Sequence, residues 1–331
     1  MGKELVRLDG LYKSFPLHAG IFEEIRFENR RLTRKRQSVN AINGVDLSVR
    51  RGEALCVVGE SGCGKSTVAG LIMGFSRPTA DSIRYDGARI DGLSAAKLLA
   101  FRRRMQMIFQ NSYASLNPRM TVAQTLEEPI QFHHSDWSRA DVQAKASSVM
   151  SSVGVDPGWS ERFSHEFSGG QRQRISIARA VAADPEFIVA DQPILALDVS
   201  IQTQVLNLLM DAREQRSLTY LFIIQDLSVV EHFGNRVGVM YLGTVCEVAQ
   251  TRTLFCTLRH PYTQALLSAI PCLNQQRSAH VKLSGEVPTP VNLPSSCVFH
   301  GRCIHADQRC RQERLKVRDL GVGTQVACRS C

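Results

Sequence analysis

The apolar run Ala54-Leu55-Cys56-Val57-Val58 leads straight into Gly59-Glu60-Ser61-Gly62-Cys63-Gly64-Lys65-Ser66-Thr67, after which Val68, Leu71 and Ile72 recur at helical spacing. A turn of the form Gly-x-x-x-x-Gly-Lys-Ser lets the backbone take positive φ and wrap closely around an anion. Its N–H groups, with the positive end of the following helix, face phosphate oxygens. Strand, glycine loop and helix in that order make the pattern a structural expectation: a buried strand of a parallel sheet with a phosphate site at its carboxyl end. In such a loop Lys65 reaches the terminal phosphates and the Ser66 hydroxyl coordinates Mg2+.

Two more short apolar strands are expected at Phe187–Ala190 and Leu218–Ile224, each bounded by polar residues. Apolar strands alternating with helices predict an α/β fold, a largely parallel sheet with helices on both faces. A strand-like piece precedes it from Glu4 to Leu11. Residues 93–166 are helix-rich and read as an inserted helical subdomain of a domain covering residues 1–250. Beyond that the pattern weakens, and Pro271, Pro288, Pro290 and Pro294 mark a loop-rich extension over residues 251–331.

Asp191 closes the strand at Phe187-Ile188-Val189-Ala190, where an acid can reach a hydrated Mg2+ facing the phosphate loop. Phe167-Ser168-Gly169-Gly170-Gln171 precedes a helix expected over Arg172–Ala183. Ser168 with Gln171 three residues later has the form of a capping box, and a capped, glycine-opened helix start is also an anion site. One chain does not readily bring two such helix starts to one triphosphate. A head-to-tail dimer does, each chain's Ser168–Gln171 segment closing over the other's phosphate loop.

Taken together these residues resemble the ATP-binding subunit of ABC transporters. Arg51 to Thr67, Met107-Ile108-Phe109-Gln110, Phe167 to Arg179 and Ala196-Leu197-Asp198 match that family's motifs in order and spacing. The stretch Gln110 to Arg119, the run Leu197 to Gln202 and His260-Pro261-Tyr262-Thr263 look like its oligopeptide, dipeptide and nickel importer branch. The resemblance implies a P-loop NTPase-type core with an N-terminal antiparallel β element, an inserted helical subdomain and a small cysteine-rich C-terminal extension. It also implies that ATP and Mg2+ are bound. Phe15 would stack on adenine, Gln110 would sense Mg2+ and relay the nucleotide state, and Asp198 would lie at the dimer seam. The implied machine has two ATP-binding subunits, two transmembrane permease subunits and an extracytoplasmic solute-binding protein delivering peptides, nickel or another small solute.

The chain departs from this family at two chemically decisive places. Gln192 follows the magnesium aspartate where the family carries glutamate, and Gln225 stands where it carries histidine. Leu195 also replaces the branch's usual serine. A carboxamide accepts no proton at neutral pH, so Gln192 can orient water without serving as general base. Gln225 can hydrogen-bond a phosphate but carries no charge. The expectation is an impaired hydrolytic site that still binds ATP, in a pair with a homologous, non-identical subunit. The competing reading is an altered copy of an ordinary ATPase.

Five of the ten cysteines fall between Cys297 and Cys331. Cys297, Cys303, Cys310 and Cys328 are a candidate ligand set for an iron–sulfur cluster (4Fe–4S), since clustered cysteines in a cytosolic chain more often bind metal than form disulfides. Zinc and free thiols remain open. No apolar run approaches the ~18–20 residues a spanning helix needs, and the polar start Met1-Gly2-Lys3-Glu4 has no signal-peptide core. Val6 counts against myristoylation of Gly2. The chain is expected to stay in the cytosol, and the family resemblance implies a peripheral place on the cytoplasmic face of the cell inner membrane. The balance of 40 basic against 31 acidic residues, +9, suits any anionic partner. The basic run Arg30, Arg31, Arg34, Lys35 and Arg36 reads as a solvated loop or a lipid-facing one. A DNA-maintenance ATPase would separate the two motif halves by long coiled coils, and a ribosomal factor would carry two cassettes. Neither is present, and no nucleic-acid partner is expected.

Overall fold

The computed structural model describes residues 2–17, 25–28, 31–34, 37–195, 197–269, 283, 285–291, 293–321 and 323–329. Arg30, Lys35, Arg36, Ala196, Pro271 and Cys331, singled out above, lie outside the described residues. The fold is α/β with mixed sheets, and the chain forms two compact units. The first comprises Met1–Leu5, Val49–Cys56 and Gly92–Asn235, the second Val6–Ser48, Val57–Asp91 and Arg236–Cys331. Among the described residues no helix is long and apolar enough to cross a membrane.

Three parallel strands centre the first unit: Met105–Ile108, Phe187–Asp191 and Thr219–Ile223, with Phe187–Asp191 in the middle. Phe187 lies opposite both Met105 and Thr219, and Asp191 opposite Ile223. Every residue of Phe187–Asp191 and Thr219–Ile223 is buried, as a strand covered on both faces requires, which is why both read as unbroken apolar runs. Met105–Ile108 lies inside the helix-rich stretch. Its four residues alternate too little to announce a strand. Helices Val122–His133 and Arg139–Ser152 pack on each other and on Gly169–Ala182. Thr121 and Ser138 start the first two with reciprocal capping boxes.

Besides the short antiparallel pair Ile25–Glu28/Arg31–Arg34, the second unit contains two larger antiparallel arrays. In one, the strand order is Ser38–Arg50, Glu4–Pro16, Ala80–Tyr85, Ala88–Arg89. Val6 faces Tyr85 and Leu8 faces Ile83. The other is the hairpin Arg236–Tyr241/Thr244–Gln250, joined by Leu242 and Gly243 with φ of 42° and 73°. Two consecutive positive φ values make the tight turn whose twist suits a two-residue hairpin. Gln325–Val326 adds to the hairpin, Val326 opposite Glu247, and Arg318–Asp319 pairs outside it. Helices Thr251–Cys256 and Pro261–Ser268 follow the hairpin.

Candidate functional site

In the second unit the loop after Ala54–Val58 is shaped by two glycines that no other residue could replace. Gly59 has φ 153°, and a Cβ there would stand 2.1 Å from the Met240 carbonyl oxygen. Gly64, the N-cap of helix Lys65–Ile72, has φ 104°, and its Cβ would meet the Ala41 carbonyl oxygen at 2.6 Å. Lys65 is 4% exposed. Its Nζ donates to the carbonyls of Gly59 (2.6 Å) and Glu60 (2.9 Å) and reaches Cys63 Sγ at 3.6 Å. Burial raises the Cys63 thiol more than the Lys65 charge lowers it, so Cys63 is an unreactive packing thiol. Ser61, Gly62 and Ser66 are exposed along the loop, and Thr67 is half-buried.

The loop is laced to the rest of its unit. Gly243 N–H donates to the Cys63 carbonyl at 2.9 Å, and Asn43 N–H to the Gly243 carbonyl at 2.7 Å. Glu60 N–H donates to Tyr262 Oη at 3.0 Å, and Arg302 Nη1 donates to both Glu60 carboxylate oxygens at 3.1 and 3.0 Å. Tyr262 is held in turn by His260, whose Nδ1 accepts from Tyr262 N–H at 3.1 Å and caps helix Pro261–Ser268. Burial drives the His260 pKa down to about 4, so the ring is neutral and its nitrogen is free to accept. Phe15 lies in the same unit, 41% exposed, with Lys13 Nζ 4.8 Å from its ring centroid.

The first unit carries the remaining candidates. Asp191 is 6% exposed at the carboxyl end of its strand. Gln110 is exposed two residues beyond Met105–Ile108, whose Ile108 pairs with Ala190. Gln192 is 8% exposed with φ 48°, a left-handed backbone uncommon for a non-glycine residue. Its N–H donates to the Ile223 carbonyl at 2.9 Å, and Gln225 Nε2 donates to Gln192 Oε1 at 3.3 Å. The two departures noted in the sequence are therefore neighbours. They share a cavity of about 360 Å³ with Ile194, Leu195, Gln202, Ile224 and Asp226. Gln202 Nε2 donates to the carbonyls of Ile194 and Leu197 at 3.1 Å each, fixing the loop that leads to Asp198. Asp198 is the N-cap residue of helix Val199–Arg216.

Ser168 caps helix Gly169–Ala182 reciprocally: Gln171 N–H donates to Ser168 Oγ at 3.4 Å, and Ser168 N–H to Gln171 Oε1 at 3.0 Å. Both glycines belong to the helix, which therefore starts three residues earlier than expected. A Cβ on Gly170 would lie 2.7 Å from Ile201 Cγ2, so this helix start packs against that of Val199–Arg216. Arg172 lies over the Tyr113 ring at 4.9 Å and Arg179 Nη1 donates to the Ser115 carbonyl. These two contacts bind the helix to the segment after Gln110.

Cys297, Cys303, Cys310 and Cys328 all lie in the second unit, and none is in a disulfide. Cys297 N–H donates to the Cys310 carbonyl at 3.1 Å. Burial, and beyond it the neighbouring Cys310, Cys303 and Cys328, push the Cys297 thiol up. Four sulfurs within electrostatic reach of one another fit iron–sulfur chemistry in kind. Among the described residues, no three His, Cys, Asp or Glu side chains are gathered into a metal-binding group.

A family model described as "ABC transporter" matches residues 42–195, and one described as "Oligopeptide/dipeptide transporter, C-terminal region" matches residues 246–310. An oligopeptide transport ATP-binding protein of Bacillus subtilis is 42% identical over 328 residues, 98% of this chain and 96% of its own length. A dipeptide transport ATP-binding protein of Escherichia coli is 43% identical over 325 residues, 98% of this chain and 93% of its own. Among solved structures, an ATP-binding cassette in a dimeric post-hydrolysis state with ADP and phosphate superposes with a TM-score of 0.65 at 26% identity. That match covers 75% of this chain and 99% of the cassette.

Proposed function

The chain belongs to the ABC transporter family and is an ATP-hydrolysing, energy-coupling subunit of an importer; from that premise we propose that it powers peptide uptake while its own site holds ATP and cleaves it slowly. The match of residues 246–310 to the oligopeptide and dipeptide C-terminal model, and the oligopeptide and dipeptide transport for which its relatives are named, support peptide as the cargo. One observation carries the slow site: Gln225 Nε2 against Gln192 Oε1 at 3.3 Å, two neutral amides where the chemistry asks for a base and a cation.

A water attacking the γ-phosphate must lose a proton. Gln192 can orient that water by hydrogen bonding but cannot take its proton, and Gln225 can donate to a phosphate oxygen without adding charge. Losing a general base costs at least ~10²-fold. The binding parts are unaffected: Gly59 to Thr67 contains its lysine and glycines, and Asp191 remains at its strand end. Ser66, Gln110 and Asp191 are the residues that would hold Mg2+, their hydroxyl, amide and carboxylate oxygens suiting a hard cation. Bound there, Mg2+ would neutralise developing phosphate charge.

The capped Ser168–Gln171 segment then works in trans. It completes the ATP site of a second, homologous and non-identical ATP-binding subunit. Two transmembrane permease subunits and an extracytoplasmic solute-binding protein complete the importer. The chain sits peripherally on the cytoplasmic face of the inner membrane and has no nucleic-acid partner. Phosphate release by the purified chain, alone and mixed with its partner ATPase, tests this division of labour. Slow release alone and fast release in the mixture are expected, and fast release alone refutes it.

The finer reading for Cys297, Cys303, Cys310 and Cys328 is a 4Fe–4S cluster, and what supports it is four cysteines of one unit, none of them in a disulfide. Anaerobically purified protein should be brown and contain iron and sulfide. Colourless, iron-free protein refutes it.

A further inference from the structure

Glu60, the second residue of the phosphate loop, is gripped from two directions by residues far downstream. Its N–H is committed to Tyr262 Oη at 3.0 Å, so this amide serves as a tether. Its carboxylate receives two hydrogen bonds from Arg302 Nη1, at 3.1 and 3.0 Å, across 242 residues of chain. Meanwhile its carbonyl accepts from Lys65 Nζ at 2.9 Å and from Cys63 N–H at 3.3 Å. Any displacement of Glu60 therefore moves an acceptor of the loop's lysine.

This is no loose surface pair. The Arg302 side chain is 11% exposed and that of Glu60 29%. Arg302 Cζ lies 5.8 Å from the Tyr241 ring centroid. Tyr262, fully buried, packs against Tyr241 at 4.8 Å and Phe299 at 5.4 Å between centroids. Tyr241 meets Phe299 edge-on at 5.2 Å, which closes a three-ring cluster beneath the tether. Arg302 itself sits between Cys297 and Cys303 in sequence, so the cysteine-rich segment supplies the cation.

The electrostatics give the arrangement a purpose. A carboxylate two residues into a loop that must receive a triphosphate opposes the incoming charge, and at partly buried depth that repulsion is weakly screened. Arg302 cancels it while fixing the loop's geometry through one nitrogen, Nη1, that donates to both carboxylate oxygens.

We infer that Arg302 and Tyr262 are positioning residues for the phosphate loop, through which the cysteine-rich segment sets this chain's affinity for nucleotide. The inference rests on the reading of Gly59–Thr67 as an ATP site. It holds whether or not the cysteines carry a cluster.

The test is titration of the full chain with Mg-ATP by calorimetry, at low and high salt, with nucleotide-free thermal melts confirming that each variant folds. Arg302→Ala should weaken binding about tenfold, because it bares the Glu60 charge, and the loss should shrink in high salt. Adding Glu60→Gln to Arg302→Ala should restore most of the affinity, since the uncompensated charge is gone. A role confined to holding the fold would leave the double variant as weak as the single one. Arg302→Lys, which retains the charge but loses the guanidinium's place over the Tyr241 ring, should fall in between and serves where Arg302→Ala folds poorly. Tyr262→Phe should cost a few-fold, with no salt dependence. Affinity within twofold of wild type in Arg302→Ala, or no recovery in the double variant, overturns the inference and leaves the ATP reading standing. Failure of the wild-type chain to bind ATP overturns both.

Discussion

Restoring the missing proton acceptor should restore turnover, and the geometry sets how much. Gln192 Oε1 and Gln225 Nε2 are 3.3 Å apart, a long bond between neutral groups. Such a bond contributes about 1 kcal/mol, so exchanging its partners costs little stability. Gln192 already holds a left-handed backbone, φ 48°, whose cost of about 1–2 kcal/mol falls on glutamate and glutamine alike. Gln192→Glu is therefore nearly isosteric and adds only basicity. With Gln225 still donating to it, the new carboxylate would be held in its charged form and made a weaker base. Gln225→His removes that amide donor, and the adjacent carboxylate raises the imidazole pKa towards the cationic state. General acid–base catalysis is worth about 10²–10⁴-fold, or about 3–5 kcal/mol of barrier. The single variant should gain about tenfold and the pair at least about a hundredfold in kcat, at unchanged ATP affinity. Steady-state phosphate release, with Mg-ATP affinity measured in parallel, reads both quantities. A double variant that binds ATP normally yet turns over no faster than wild type refutes the reasoning. A wild-type kcat already in the ordinary enzymatic range, about 1–10³ s⁻¹, does so too.

Gly64→Ala forces a methyl to 2.6 Å from the Ala41 carbonyl at φ 104°, where an L-residue is strained by about 1–3 kcal/mol. Mg-ATP binding should be lost while the far-ultraviolet circular dichroism stays native, and normal binding would contradict the loop geometry. His260 titrates near 4 in the fold against an ordinary 6.5. The unfolded chain therefore takes up its proton first as pH falls, and the histidine's contribution is complete above 6.5 and lost towards 4. That loss is about 3 kcal/mol. Glu247, whose carboxyl burial raises, works in the opposite sense, so the comparison must be with His260→Asn, which keeps a capping acceptor. The stability difference between wild type and variant, from urea melts, should shrink by about 3 kcal/mol between pH 7 and pH 4; a constant difference would mean the ring is not held neutral.

What the sequence made legible is what acts over a few residues. The phosphate loop declares itself because its glycines answer constraints of the local backbone, and Ser168 with Gln171 because a capping box spans only three positions. The central strands were legible because burial on both faces leaves no polar positions. Their ends moved by a residue, to Phe187–Asp191 and Thr219–Ile223. Contacts between distant segments left no such trace. Gln192 and Gln225 read as two separate losses, and only the parallel pairing of their strands makes them one hydrogen-bonded pair. Tyr262 was visible as part of a branch motif and Arg302 not at all, because their shared partner, Glu60, lies 202 and 242 residues upstream. The two-residue strands Arg318–Asp319 and Gln325–Val326 are too short to carry a periodicity.

The distribution of losses argues for division of labour over simple decay. A subunit relieved of all duty would lose costly geometry as readily as chemistry. Here the demanding geometry is intact: Gly59 and Gly64 where any Cβ would strike a carbonyl oxygen, Gly170 where one would strike Ile201, and a reciprocal cap at Ser168. The losses that bear on hydrolysis fall on two side chains in contact, and each removes reactivity while keeping size and hydrogen bonding. The outcome is a self-satisfied amide pair, donor to acceptor. On the proposed reading, a subunit built this way would retain what is needed to bind ATP and to offer Ser168–Gln171 to a neighbour, and would give up only the proton transfer. Its bound ATP would then outlast many cycles at the neighbouring site, keeping the pair assembled while the partner's hydrolysis sets the rate of import.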